Sequence, residues 1–232
     1  MEGGEGDEIH RTHGRLGAFF AYGRFNPPTI GHKLLIEELI RRADEAHADA
    51  YVFATSTQDS KKNPLEVGEK VAILKKMYPH TEVVRIINTT TRGCKTVPQV
   101  KAALERAGYE HLTMVVGSDR VADFTGKFGV DVVSAGERDP DSENATGMSA
   151  TKVRTAALSN AWPAFRSGIN ESVKEANARM LMRLIQERMP PGSSSTAPKS
   201  RRRDPAGGQE GGARRSSRRG RHRHRHRRSR KN

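Results

Sequence analysis

Gly23-Arg24-Phe25-Asn26-Pro27-Pro28-Thr29-Ile30-Gly31-His32 stands between two segments of different periodicity. Leu16-Gly17-Ala18-Phe19-Phe20-Ala21-Tyr22 comes before it, short, apolar and uncharged, the pattern of a buried strand. After it Leu34, Leu35, Leu39, Ile40 and Ala43 recur at the spacing of one helical face. The stretch is therefore a strand-to-helix turn, with Gly23 and Gly31 allowing tight backbone and Pro27-Pro28 stiffening it. The first amides of a helix lack intrahelical acceptors, which makes such a turn an anion site. Thr29 and His32, three residues apart, can face the same anion.

Working outward, strands and helices alternate. The pattern predicts a helix over 31–46, a strand over 50–55 and a polar loop over 56–63 with Asn63 as N-cap and Pro64 in the first turn. That helix runs to Met77 before Pro79. Strands follow at 81–87, 111–116 and 130–134, with helices at 97–107 and 121–127. A long charged loop, 135–147, leads to a helix from Ser149 to Ser159. A final helix is marked by Ser172 and Glu175 as a capping box and by a stripe of Val173, Ala176, Met180, Leu181, Leu184 and Ile185. This alternation predicts an α/β fold, a Rossmann-like doubly wound parallel sheet with C-terminal helices. In such sheets ligands bind beyond the carboxyl ends of the strands, where strand order reverses.

Two motifs resemble those of a known superfamily. Gly-Arg-Phe-x-Pro-x-Thr-x-Gly-His is similar to the [His/Thr]-x-Gly-His signature of the nucleotidyltransferases, which include nicotinamide-mononucleotide and pantetheine-phosphate adenylyltransferases and the cytidylyltransferases. Met148-Ser149-Ala150-Thr151-Lys152-Val153-Arg154 resembles their second signature, Ile-Ser-x-Thr-x-x-Arg, with Met148 for the usual Ile. The two lie about 120 residues apart with Gly117-Ser118-Asp119 between them, and the likeness spans Leu16 to Gly168. It implies five strands in the order 3-2-1-4-5, with the crevice between the first and fourth.

The resemblance also implies roles. Thr29, His32 and Arg154 become the catalytic candidates, the first two donating to the α-phosphate and Arg154 gripping the β- and γ-phosphates with its fork. Gly23, Arg24, Phe25, Asn26, Gly31, Gly117, Asp119, Ser149 and Thr151 become nucleotide-binding candidates. Lys61, Lys62 and Arg138 are weaker ones, since lysines and arginines in polar loops are usually solvated. No protein metal site is expected; Mg²⁺ is implied by the triphosphate itself. Thr125-Gly126-Lys127 lacks the glycine spacing of a phosphate-binding loop, and the chain is too short for an aminoacyl-tRNA synthetase.

Composition divides the 232 residues unevenly. From 190 to 232 there are 13 Arg and 2 Lys against 1 Asp and 1 Glu, so this tail carries +13 of the formal +14. The expected organisation is a flexible acidic terminus over 1–15, a nucleotidyltransferase domain over 16–189 and a disordered Arg-rich tail over 190–232. The tail suits phosphate backbones or a nuclear import receptor; without aromatics it would bind nucleic acid non-specifically. Lone Cys94 forms no internal disulfide, and no run approaches a membrane span. The default is a cytoplasmic setting without membrane partners, or a nuclear one through the tail; oligomeric state is unread.

The expected function is transfer of a nucleoside monophosphate from a nucleoside triphosphate to a phosphorylated small-molecule acceptor, releasing pyrophosphate. The Gly-Arg-Phe opening favours adenylyl transfer from ATP to a mononucleotide such as nicotinamide mononucleotide. Cytidylyl transfer, pantetheine-phosphate adenylylation, and a non-catalytic nucleotide-binding regulator associated with nucleic acid are the alternatives.

Overall fold

The computed structural model describes residues 8–80, 82–137 and 147–189. The Arg-rich tail, residues 1–7, Thr81 and the loop position Arg138 lie outside the described residues. Five strands form one sheet: β1 (Gly17–Gly23), β2 (Asp49–Ala54), β3 (Arg85–Asn88), β4 (His111–Val116) and β5 (Asp131–Ser134). Their order is β3-β2-β1-β4-β5, and every pairing is parallel, as the resemblance implied. Parallel neighbours need crossovers, supplied by α1 (Ile30–Glu45), α2 (Val67–Met77), α3 (Val97–Arg106) and the short α4 (Val121–Phe124). Then come α5 (Ala150–Leu158), α6 (Trp162–Ser167) and α7 (Glu175–Arg188).

Alternation along each strand builds two cores, because successive side chains leave a strand on opposite faces. Ala21, Val52, Ile86 and Val115 pack under α1, α2 and the C-terminal helices, with Ile36, Leu39, Leu74 and Ile185 among their neighbours. Phe20, Tyr51, Phe53 and Met114 pack under α3 with Val97, Val100 and Leu104. The interior strand β2 is buried at all six positions, as a strand covered on both faces must be.

Several local expectations move. Helix α2 starts at Val67, not at Pro64. Asn63 does not cap it, because its amide is taken by Asp59 Oδ2, and the same carboxylate accepts from Lys61 and Lys62 N–H. Leu65 is pinned by the Asn26 side chain, so Glu66, itself extended, becomes the cap. Strand β3 begins at Arg85 because the chain still turns at Val83, whose N–H donates to His80 O. The helix predicted over 121–127 is a 3-10 turn at Ser118–Arg120 followed by α4 alone.

Ser172 is not the cap of α7; its N–H is taken by Asn170 Oδ1, and the helix starts at Glu175. The buried face of α7 is Ala178, Leu181, Met182 and Ile185, whereas Ala176 and Met180 face outward. Helix α6 was not anticipated at all. Nor do residues 8–15 behave as the flexible terminus expected of them. Thr12 N–H and hydroxyl both donate to the Asp49 carboxylate (2.8 and 2.7 Å), and Tyr51 and Tyr109 hydroxyls lie 2.8 and 3.0 Å from His10 O.

Candidate active site

Where β1 and β4 part, their carboxyl ends open a crevice of about 490 Å³ lined by residues of both signature segments. All twelve site candidates line it. Lys62 and Asn63 line it too, while Lys61 does not. Two helices, α1 and α5, present their amino ends to the same space.

The first turn of α1 is tightly specified. Thr29 is its N-cap, fully buried, and His32 N–H donates to the Thr29 Oγ1 (3.4 Å). In return Thr29 N–H donates to His32 Nδ1 (3.1 Å), and the Thr29 hydroxyl lies 2.9 Å from the same nitrogen. An Nδ1 that accepts from a backbone amide carries no proton, so the neutral ring holds its proton on Nε2 and offers it as a donor. The Phe25 ring packs against the imidazole, centroids 5.0 Å apart, and so fixes its plane. Phe25 reaches that place by folding back over Gly23, where a Cβ would lie 2.9 Å from the ring. Phe25 itself is at φ +44°, a left-handed turn that the buried ring holds in place.

Asn26 lines the crevice, but its side chain is engaged elsewhere. Its side chain donates to Leu65 O and accepts from Leu65 N–H, each at 3.0 Å, tying the signature turn to the segment after β2. Its carbonyl accepts from Arg154 Nη1 at 2.7 Å. Arg154 Nη2 donates to Thr151 Oγ1 at 3.0 Å, so one guanidinium bridges the two signature segments. Ser149 caps α5 by accepting from Lys152 N–H at 3.2 Å. Across the crevice Asp119 turns back over Gly117, where a Cβ would lie 2.7 Å from its Oδ1.

The charges here are unbalanced. Arg154 is 9% exposed, and among the described residues no carboxylate pairs with it or with Arg24. Burial, then repulsion from Arg24, pulls the Arg154 guanidinium below its ordinary pKa, against the opposing charge of Asp59. A buried cation without a protein counter-ion costs several kcal/mol, of the order of 3 or more, unless an anion arrives. The amides are arranged in the same sense. Ile30 N–H is taken by Gly168 O and His32 N–H by Thr29, leaving that of Gly31 with no protein acceptor among the described residues. Those of Ala150 and Thr151 at the start of α5 are in the same state.

The crevice has contributors outside the expected set, among them Leu34 and Leu35 of α1, Glu137 after β5, Phe124, and Arg120, whose guanidinium lies 5.5 Å from the Phe124 ring centroid. None belongs to a motif, and each reaches the crevice only through the fold. Lys70 was passed over as well, although it carried a signal. It occupies the apolar stripe Lys70-Ile73-Leu74-Met77 of α2, a charge at core spacing, and is fully buried. Among the described residues no group of three or more His, Cys, Asp or Glu side chains could hold a metal ion. No helix of the described residues is long and apolar enough to cross a membrane.

An α/β domain that turns two helix amino ends and two arginines, without ion-pair partners among the described residues, on one crevice can take a polyphosphate. The chain belongs to the cytidylyltransferase-like family, whose model matches residues 20–156, and it is a nucleotidyltransferase. Among solved structures it is similar to a Vibrio parahaemolyticus protein assigned as a nicotinate-nucleotide adenylyltransferase, at 18% identity over 72% of this chain and 98% of that one, TM-score 0.47. It is also similar to Plasmodium falciparum nicotinic acid mononucleotide adenylyltransferase, solved in complexes with NaAD and with APC. There the identity is 12% over 75% of this chain and 96% of that one, TM-score 0.49. No curated protein matches the chain closely enough to count as a relative.

Proposed function

We propose that the enzyme transfers a nucleoside monophosphate from a nucleoside triphosphate, ATP first, to the phosphate of a mononucleotide, releasing pyrophosphate. The observation that carries this reading is Arg154, buried in the crevice with no carboxylate within ion-pair distance among the described residues, between two helix starts with amides that have no acceptor among those residues. An acceptor phosphate oxygen forms a bond to the α-phosphorus as the bond to the bridging oxygen breaks, and pyrophosphate leaves with that electron pair. Such transfers need positioning and charge stabilisation rather than a protein nucleophile. His32 Nε2–H donates to an α-phosphate oxygen, and one such donor is worth on the order of 3 kcal/mol. Arg154, the α5 amides and Ser149 hold the departing phosphates.

Thr29 acts through His32, since its buried hydroxyl is turned to the imidazole. The triphosphate would bring its own Mg²⁺ as part of the substrate, and Asp119, a carboxylate of the crevice wall, would accept hydrogen bonds from its waters. The test is pyrophosphate release from ATP, CTP, GTP and UTP, each against a panel of phosphorylated acceptors. ATP with a mononucleotide should release pyrophosphate, and His32→Ala should lower the rate about 100-fold or more. No release with any pairing would overturn the proposal; release from CTP alone would move the reading to cytidylyl transfer.

A further inference from the structure

Lys70 is a lysine with no exposed surface, set in the buried face of α2. Among the described residues no carboxylate lies within ion-pair distance of it. Its Nζ donates instead to two backbone carbonyls, Thr55 O at 2.7 Å and Thr57 O at 3.0 Å, in the segment leaving β2. An apolar side chain of equal length would fill the same space without the cost of burying charge, so packing does not account for a lysine here. What the ammonium holds does. Thr55 N–H donates to Gly23 O at 2.9 Å, and Gly23 is the residue from which the signature turn departs. From Gly23 hang Arg24, a crevice cation, and Phe25, the ring that sets the plane of His32. The same segment, farther on, brings Lys62 and Asn63 to the crevice wall.

We propose that Lys70 is a positioning residue for nucleotidyl transfer: by clamping Thr55 and Thr57 it fixes Gly23, and through it the placing of Arg24, Phe25 and His32. This rests on the function proposed above. The clamp explains why the site tolerates a strained Phe25, because the backbone on either side is tied down, at Gly23 through Thr55 and at Asn26 through Leu65. It also predicts a pH signature. Burial pulls the Lys70 ammonium down to about 8, against the opposing pull of Glu69. Glu69 is itself paired with Arg188 of α7 at 2.6 Å. On the strands beneath α2, the ionisable groups Asp49, Tyr51 and Arg85 belong to a separate cluster at the opposite end of the sheet. Loss of the Lys70 proton removes a donor and the charge from both carbonyl bonds, so the clamp loosens as pH rises through about 8.

The experiment compares wild type, Lys70→Met and Lys70→Arg. Lys70→Met should melt no lower than wild type, lose about 10- to 50-fold in turnover at saturating substrates, and speed amide exchange at Thr55 about tenfold or more. Lys70→Arg, charged at every accessible pH, should recover most of the turnover and lack the wild-type decline above about pH 8. Unchanged turnover per folded molecule in Lys70→Met, or unchanged exchange at Thr55, overturns the proposal. Where Lys70→Met does not fold, an alkaline decline of the same shape in wild type and Lys70→Arg overturns it. Absence of pyrophosphate from wild type with every pairing sinks the transfer reaction instead, while Thr55 exchange still decides whether the clamp exists.

Discussion

The two ends of the sheet treat buried charge in opposite ways. At the amino end Asp49, 3% exposed, is answered from all sides: Thr12 donates twice, Tyr109 donates, and Arg15 and Arg85 stand at 3.3 and 3.4 Å. At the carboxyl end Arg154, 9% exposed, donates to a backbone carbonyl and a hydroxyl, with no carboxylate within ion-pair distance among the described residues and only Asp59 acting on it from farther off. Both ends bury charge: Asp49 and Arg85 at one, Arg154 at the other. One is neutralised by the protein and can only stabilise. The other costs stability as it stands, and under the function proposed above a ligand would supply its counter-charge. Site and scaffold are thus told apart by whether the counter-charge is already present.

The largest effect should come from removing the unanswered charge. Arg154→Met is expected to lower turnover about 100- to 1,000-fold. The melting temperature without nucleotide should stay within about 3 °C of wild type, because relief of the buried cation offsets the lost bonds to Asn26 O and Thr151. Added triphosphate should raise the melting temperature of wild type and not of the variant. A variant that melts far lower would mean that the arginine is scaffold, and the contrast between the two ends would fail.

Asp49→Asn reverses the experiment. Removing the anion leaves Arg85 and Arg15 facing an amide and should cost about 3 kcal/mol of unfolding free energy in a denaturant titration. Turnover per folded molecule should hold within about twofold, as expected for a site at the far end of rigid strands. A matching loss of turnover would show that the two ends are coupled through β1 and β2.

A finer probe uses one glycine at each end of β1. A Cβ at Gly23 would lie 2.9 Å from the Phe25 ring, and one at Gly17 would lie 3.1 Å from Ala48 Cβ. Both overpack, and each alanine variant should cost about 1–2 kcal/mol. Only Gly23→Ala should also lower turnover, by about tenfold, because the ring it displaces holds His32. Equal kinetic effects from both would remove the special place given to Phe25.

Much of this was legible in the sequence because strand and helix periods alternate cleanly. Phe20, Tyr51, Val52 and Ile36 follow their periods into the core, and the two signature segments meet in one crevice. What escaped depends on contacts between distant segments. Nothing local says that Asn26 will pair with Leu65, so the start of α2 was read three residues early. The 8–15 segment looked loose because its polar residues find partners on Asp49, Tyr51, Arg85 and Tyr109, at separations of 34 to 99 residues. The outward turn of Ala176 and Met180 follows from packing of α7 on α5, where Gln186 donates to Ala157 O, and not from the α7 sequence. Thr29 was read as a phosphate donor because the motif places it beside His32; its hydroxyl turns out to be buried against the ring.

The smallest effect is one of pH, and it separates the answered charge from the unanswered one without touching the site. Burial alone would push the Asp49 carboxyl up, but the Tyr109 and Thr12 bonds and the Arg85 charge outweigh it and hold the group below its ordinary value. A carboxylate with a folded pKa below its unfolded one, near 3.9, stabilises fully above that unfolded value. The contribution is lost as pH falls from there through the folded value. Each pH unit inside that window is worth at most about 1.4 kcal/mol for a single proton. Wild type should therefore lose stability below about pH 4 more steeply than Asp49→Asn, and the gap between them should narrow as acid is added. Arg154 offers no such window, since guanidinium stays protonated throughout. Wild type and Arg154→Met should run parallel from pH 7 to pH 3. Parallel curves for wild type and Asp49→Asn would mean that Asp49 is already neutral in the fold, and the amino end would then hold two unanswered arginines of its own.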